Sequence, residues 1–174
     1  MATAAHNPAP NLDSRTEREV WRLLSEVLDP EIPVLNVVEL GLIRYVRRKP
    51  EGNVEVGVSP TYTGCPATEV IQDSIRKRLA SAGFGHAQVV AVLAPAWTSD
   101  WLTESAHKKL REYGIAPPEH SVAHPRHLFG TPTVHCPRCA SAKTQRVSEF
   151  ASTPCKALYR CIDCLEPFEY FKCI

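Results

Sequence analysis

Apolar residues recur in the first third of the chain with a helical period. Val20, Leu23, Leu24, Val27 and Leu28 fall at i, i+3, i+4, i+7 and i+8, which places them on one face of a helix. Ser14 followed by Glu17 forms a capping box at its start, and Asp29-Pro30 is expected to end it, because proline disfavours the α conformation in the residue before it. The pattern then changes period. Leu42 to Arg48 is rich in branched and aromatic residues, and Val54, Val56 and Val58 alternate with Glu55 and Gly57; Glu51-Gly52-Asn53 between them reads as a hairpin turn. Pro66 suits a first helical position, and Ala67, Val70, Ile71, Ile75 and Leu79 form the stripe of a helix running to about Gly83. Gln88 to Leu93 reads as a strand broken by Pro95. Ser99 or Asp100 is the expected cap of a further helix through Leu102, Ala106, Leu110 and Tyr113, stopped by Gly114.

The order α, β, β, α, β, α predicts an α/β or α+β layer, helices packed on a small mixed sheet, over residues 14–114. Residues 1–13 read as a disordered leader. Residues 115–135 hold Pro117, Pro118, Pro125 and Pro132 without periodicity and read as a semi-rigid linker. Residues 136–174 are too few to build a core unaided and need a staple.

Composition narrows the function classes. Lys plus Arg is 20 and Asp plus Glu is 19, a net charge of +1, which argues against a nucleic-acid or membrane-surface partner. No apolar run approaches the ~18 residues of a membrane span. Met1 to Pro10 has neither the basic start nor the apolar centre of a secretory signal, so a cytoplasmic protein is expected.

Cysteine supplies the staple. Of seven cysteines only Cys65 lies in the first 135 residues. In a reducing compartment such a cluster reads as metal ligands rather than disulfides. Cys136-Pro-Arg-Cys139 and Cys161-Ile-Asp-Cys164 are two C-x-x-C knuckles, and four thiolates close the tetrahedral shell of a structural zinc, a C-terminal zinc ribbon. Thr144 to Phe150 and Ala157 to Arg160 supply its strands. An iron–sulfur cluster on the same cysteines is the alternative. From Cys136 onward six basic residues face four acidic ones, a difference of +2 that zinc with four thiolates cancels, so a nucleic-acid role for the ribbon is not expected. Cys155 and Cys173 remain as small packing residues or a second thiol function; His120, His124, His127 and His135 crowd the linker without a firm helix to present them.

Cys65 stands between a strand and a helix, where a helix N-terminus stabilises a thiolate. Its position suits a nucleophile or a metal ligand; a small buried residue is the plain alternative. Here the residues resemble a family. Asp29-Pro-Glu-Ile-Pro33, Val38-Glu-Leu-Gly-Leu-Ile43 and Thr63-Gly-Cys-Pro66 resemble the small domain of the metal–sulfur cluster assembly factors, the SufT-like proteins included. The likeness spans about residues 16–113. Ser59 to Pro66, Pro95-Ala-Trp-Thr-Ser-Asp-Trp101, Ile115 to Pro118, Ser152 to Cys161 and Glu166 to Lys172 resemble the D-subunit family of the bacterial phenylacetyl-CoA 1,2-epoxidase system over nearly the whole chain. Glu39 departs from the aspartate frequent in the wider assembly family, and Ser59-Pro60 from its Thr-Leu pair.

The resemblance implies an accessory protein of phenylacetate catabolism that matures iron or iron–sulfur centres of the monooxygenase or its reductase and has no catalytic activity alone. It implies Cys65 as a transient ligand for iron or an iron–sulfur unit, Asp29 and Glu31 as nearby oxygen ligands or their orienters, and structural Zn2+ on Cys136, Cys139, Cys161 and Cys164. The implied partners are the oxygenase subunits and the reductase, with a homodimer as a further expectation. Two rival readings stay open: a docking component in which Cys65 only packs, and an electron carrier with iron–sulfur on the ribbon. Pro30 and Pro33 are expected to fix their turn conformationally, leaving the Asp29 and Glu31 carboxylates free to serve a site; the alternative is that Asp29 closes the preceding helix or makes an Asx-turn.

Overall fold

The structure, a computed structural model, describes residues 15–62, 64–118 and 133–172. The expected leader at 1–13, Ser14, Thr63, the linker stretch 119–132 with His120, His124 and His127, and Cys173 lie outside them. The architecture is mixed α and β, as the periodicity predicts. Contacts divide the chain into two compact units, Met1–Trp97 and Thr98–Ile174.

In the first unit β1 (Ile43–Arg48) and β2 (Val54–Val58) form an antiparallel hairpin, and β3 (Gln88–Ala91) joins β2 in parallel, giving the order β1-β2-β3. The parallel pair is connected through α2 (Ala67–Ser81), a βαβ crossover. Val46, Val54, Val56 and Val58 are buried, as are Val20, Leu23 and Leu24 of α1 (Arg15–Leu24) and Ile71, Ile75 and Leu79 of α2. Val70, expected in the α2 stripe, is exposed: its place on the helix points away from the sheet side that Ile71, Ile75 and Leu79 cover. The first helix ends at Leu24, short of Asp29-Pro30. Tighter turns follow, with Val27 N–H donating to the Leu24 carbonyl at 3.0 Å, and Leu28 leaves the helix to make an isolated β-bridge with Asn36.

Tyr45 is half-buried on the hairpin, its ring laid over Gly57, where an added Cβ would overlap it. Its hydroxyl donates to Glu55 at 3.1 Å, and the Arg47 guanidinium lies 3.8 Å from the ring centroid. Glu55 also pairs with Lys49 at 2.7 Å.

In the second unit the expected helix from Ser99 or Asp100 is divided. A 3-10 turn at Ser99–Trp101 comes first, and α3 (Glu104–Tyr113) starts afresh at Thr103, whose Oγ1 accepts from the Ala106 N–H at 3.1 Å. Thr103 has the extended backbone of an N-cap, and so takes the role assigned to Ser99 or Asp100. Gly114, at φ 92°, ends the helix as expected. Then comes a sheet of order β4-β7-β6-β5: β4 (Ile115–Ala116) runs parallel to β7 (Pro167–Phe171), and β6 (Lys156–Cys161) pairs antiparallel with β7 and with β5 (Thr144–Ser148). The chain at 98–116, read from sequence as the end of the first domain and the start of a linker, thus groups with the ribbon, because β4 completes the ribbon sheet and α3 packs on β4. Ala116, Val134, Cys136, Ala157, Tyr159, Cys161, Phe168 and Tyr170 form its core. The Tyr159 ring stacks on Phe168 and meets Tyr170 edge-on, with centroids 6.0 and 5.6 Å apart. Lys156 is buried and bound to Glu169 at 2.7 Å. Burial alone would raise the Glu169 carboxyl; the Lys156 ammonium and the Ser152 donors outweigh it and hold the group below the usual range.

Gly57→Ala is expected to destabilise the chain by about 1–2 kcal/mol, since the Tyr45 ring must leave Glu55 and Arg47 to make room. Urea unfolding measures the loss. In a Tyr45→Ala background the same substitution is expected to cost little, which a double-mutant cycle reads directly.

Candidate functional site

Three loops meet at the carboxyl ends of β2 and β3. The first runs from Asp29 to Gly41. Asp29 is buried, and its Oδ1 accepts the backbone N–H of Glu31 at 2.8 Å and of Ile32 at 2.7 Å. Proline alone therefore does not hold this turn. Of the two readings of Asp29 the structure shows the Asx-turn, in place of a carboxylate free of the loop: its oxygen satisfies two N–H groups that the following prolines leave without a ladder partner. Glu31 is half-buried. Further along, Asn36 Oδ1 accepts the N–H groups of Val38 and Glu39 at 3.0 and 2.8 Å, and the Asn36 amide donates to Glu39 Oε2 at 2.8 Å. Glu39 thereby closes the second half of the loop.

The second loop is Ser59 to Pro66. Ser59 N–H donates to the Leu42 carbonyl at 2.8 Å, continuing the hairpin. Cys65 N–H donates to the Tyr62 carbonyl at 3.3 Å, and the Cys65 carbonyl accepts the Thr68 N–H at 3.1 Å. Cys65 is half-buried, one residue before Pro66, which caps α2 without a side-chain hydrogen bond. The third loop follows β3. Its Trp97 is buried, and the indole Nε1–H donates to the Leu40 carbonyl at 2.9 Å, tying the third loop to the first. A pocket of about 70 Å³ opens between the second and third loops, lined by Ser59, Pro60, Thr61, Tyr62, Leu93, Ala96 and Trp97. Sequence reasoning left Ser59 and Trp97 without a role. The signal available was a nearby proline, Pro60 next to Ser59 and Pro95 two residues before Trp97, which takes the chain out of the sheet.

The second site is the ribbon. Cys136, Cys139, Cys161 and Cys164 have sulfurs all within 4.8 Å of one another, with Cys136 to Cys164 at 3.7 Å and Cys139 to Cys161 at 3.5 Å. A tetrahedron with Zn–S bonds of ~2.3 Å has S···S edges of ~3.8 Å, so the four sulfurs fit a zinc ion held by four thiolates as they stand. Crowding splits the four thiols: at Cys139 the Ser141 backbone is outweighed by hydrogen bonds with the other three thiols and the group is pushed up to about 12, and Cys164 is raised as well, against the Glu166 backbone. The N–H of Cys164, against burial and helped by that of Asp163, draws the Cys161 thiol down to about 7. Ala140 and Leu165, each the residue after a knuckle, take φ of 60° and 63° to turn the chain away. Among the described residues this is the one group of three or more His, Cys, Asp or Glu side chains close enough to share an ion; Asp29, Glu31 and Cys65 do not form such a group. Among the described residues, too, no helix is long and apolar enough to cross a membrane.

Two outcomes follow from this geometry. Asp29→Ala leaves the Glu31 and Ile32 N–H groups without their acceptor and is expected to lower stability by about 1–3 kcal/mol, while Asp29→Asn, which keeps an oxygen in place, recovers most of it; thermal melts of both variants check this. The ribbon is expected to carry one zinc per chain by elemental analysis. Cys161→Ser is expected to release it and unfold the β5–β7 sheet while the amides of β1 to β3 keep their hydrogen-exchange protection.

Comparison with known proteins follows the same division. Residues 17–92 match the iron–sulfur cluster assembly protein family, and residues 121–172 match the PaaD zinc beta ribbon domain. An Escherichia coli (strain K12) protein, provisionally named as the D subunit of 1,2-phenylacetyl-CoA epoxidase, is 54% identical over 156 residues, 90% of this chain and 92% of its own. An Fe-S protein maturation auxiliary factor of Porphyromonas gingivalis is 36% identical over 97 residues, 55% of this chain and 91% of its own. The crystal structure of a domain of unknown function, DUF59, from Bacillus anthracis superposes with a TM-score of 0.50 at 25% identity, covering 53% of this chain and 89% of that one. The first unit is thus an iron–sulfur assembly-type domain and the cysteine cluster a zinc-ribbon metal site, and the chain as a whole belongs to the D-subunit family of the phenylacetyl-CoA epoxidases.

Proposed function

We propose that the protein is an accessory factor that matures the iron or iron–sulfur centres of a phenylacetyl-CoA epoxidase system, in its oxygenase or its reductase, in the cytoplasm. One observation carries the reading: a half-buried thiol, Cys65, stands at the carboxyl end of a parallel strand pair and before a long helix, in a domain shared with Fe-S protein maturation auxiliary factors. Ligands in open α/β sheets bind at that end of the strands.

Cys65 acts as the transient ligand. Its sulfur takes the iron or iron–sulfur cargo and yields it to the client's own ligands. Half-burial suits that work, because a fully buried sulfur could not pass its load on. Asp29 orients the first loop through Glu31 N–H and Ile32 N–H, and Glu31 offers an oxygen to the cargo from the same turn. Trp97 and Glu39 hold the loops around the thiol in register. The four ribbon thiolates hold zinc in a closed shell with no open position, so the zinc shapes the second unit and takes no part in transfer.

Cys65→Ser tests the proposal. The change is nearly isosteric, so a folded, zinc-loaded protein with a melting temperature close to wild type is expected. Serine stays a protonated hydroxyl and does not replace a thiolate as a ligand for iron. In cells the variant is expected to fail to support growth on phenylacetate, with oxygenase or reductase recovered short of iron. Full growth with normal iron in both would make Cys65 a packing residue and the protein a docking component of the complex.

A further inference from the structure

The second knuckle of the ribbon ends in a residue that its backbone does not favour. Leu165 has a φ of 63°, in the left-handed region where a β-carbon crowds the following carbonyl and glycine is the usual occupant. Its side chain is 60% exposed, so burial offsets little of that cost. The tight turn needs the left-handed residue; nothing in the turn or in the packing needs it to be leucine. What leucine adds is an apolar group at the surface. Ile162, three residues earlier in the same knuckle, is 49% exposed, with its N–H donating to the Lys143 carbonyl at 2.8 Å. Two exposed aliphatic side chains alone would be ordinary surface; the left-handed leucine sets this pair apart.

The charged groups around the pair already answer one another. Asp163 accepts from Ser141 Oγ at 2.6 Å and from Lys143 Nζ at 3.3 Å, and Glu166 accepts from Arg138 at 2.7 Å. Two cations and two anions cancel, so the knuckle offers a partner apolar surface and no net charge, the make-up of an interface centre. What the relatives share says which protein meets it. The Fe-S protein maturation auxiliary factors of Porphyromonas gingivalis, Bacillus subtilis and Staphylococcus aureus match 55%, 55% and 46% of this chain over 91%, 93% and 91% of their own lengths, and what is left of each is shorter than residues 121–172. The Escherichia coli relative, provisionally named as an epoxidase subunit, matches 90% of this chain and so reaches into the ribbon. The assembly-type domain is common to both groups, and the ribbon goes with the epoxidase.

We propose that the second knuckle is the client-recognition element of the protein: Ile162 and Leu165 enter an uncharged, apolar recess on the oxygenase component of the epoxidase and seat the chain there. This rests on the maturation reading above, and it names which of the two clients in that reading the chain addresses and through which surface. The oxygenase is chosen over the reductase because the ribbon-bearing relative carries the name of a subunit of the epoxidase itself.

The test measures binding of the full zinc-loaded chain to the purified oxygenase component by calorimetry, with the purified reductase as comparison. Wild type is expected to bind the oxygenase and not the reductase. Leu165→Gly is expected to weaken binding by about tenfold or more, while the chain keeps its zinc and melts close to the wild-type temperature, since glycine suits the left-handed turn. Ile162→Ser is expected to weaken it in the same direction. Val147→Ser, at a similarly exposed position on β5, is expected to bind as wild type does. Cys65→Ser is expected to dock as wild type does, so docking and transfer are read apart: docking that persists while Cys65→Ser still gives an oxygenase with normal iron keeps this proposal and removes Cys65 as the transient ligand. Four results overturn the proposal: no binding to the oxygenase, binding to the reductase in its place, Leu165→Gly and Ile162→Ser both binding as wild type, or a loss of affinity that Val147→Ser shares.

Discussion

At the end of the first sheet a long-range hydrogen bond runs from the indole of Trp97 to the carbonyl of Leu40. Its two residues are 57 positions apart, and both are buried. It ties the Asp29–Gly41 loop directly to the chain leaving β3. With it, the loop that carries Glu31 and the loop that follows β3 keep fixed places around the turn that leads to Cys65. The cost of burying an indole N–H is offset because it meets a carbonyl that the surrounding turn leaves available. The local bonds of Asp29 and Asn36 make each part of the loop rigid, and the tryptophan makes those rigid parts one assembly. A site built to hold a soft ligand and then yield it needs such a frame, since the thiol must keep its place while its partner changes.

Much of this was legible from the order of residues, and the exceptions have physical causes. Val54, Val56 and Val58 alternate because one face of β2 meets the helices, and the paired C-x-x-C knuckles state their own chemistry. The stripe of α2 was readable through Ile71, Ile75 and Leu79. Val70 was not, since a residue at the margin of an apolar face belongs to the core or the surface according to what packs beside it. β4 could not be seen at all. It has two residues, and only its partner β7 makes it a strand. In β7 the alternation of Phe168, Glu169 and Tyr170 was present, but its opening proline and its closeness to the second knuckle concealed it. The Asp29 turn left two readings open. Asp-Pro is both a helix stop and a turn former, and which backbone N–H groups face the carboxylate is settled only when the chain has closed on itself.

The two halves of the chain solve the problem of a small core by different means. The first packs two helices on a sheet and buries branched side chains in the ordinary way. The second has a short aromatic core around Tyr159 and gathers four sulfurs at one end of it. Metal affinity then becomes folding free energy for that half, and the supply of the ion decides whether it is folded. The left-handed turns at Ala140 and Leu165 belong to this arrangement: each accepts a strained backbone so that a knuckle can bend tightly around its ion.

The pairing of β4 with β7 bears on how such a protein is inherited. Ribbon modules are commonly imagined as tails that a gene can gain or lose at the nearest linker, which the proline-rich sequence before the first knuckle would suggest here. A recombination at that point would leave Ile115 and Ala116 behind and strip the ribbon sheet of its first strand, exposing the flank of Phe168 and Tyr170. The portable piece is longer and begins near Thr98, where it takes the third helix with it. Lineages that exchange the ribbon should therefore show their breakpoints before that helix, in the few residues after Trp97, and keep the helix and the four cysteines as a single heritable block.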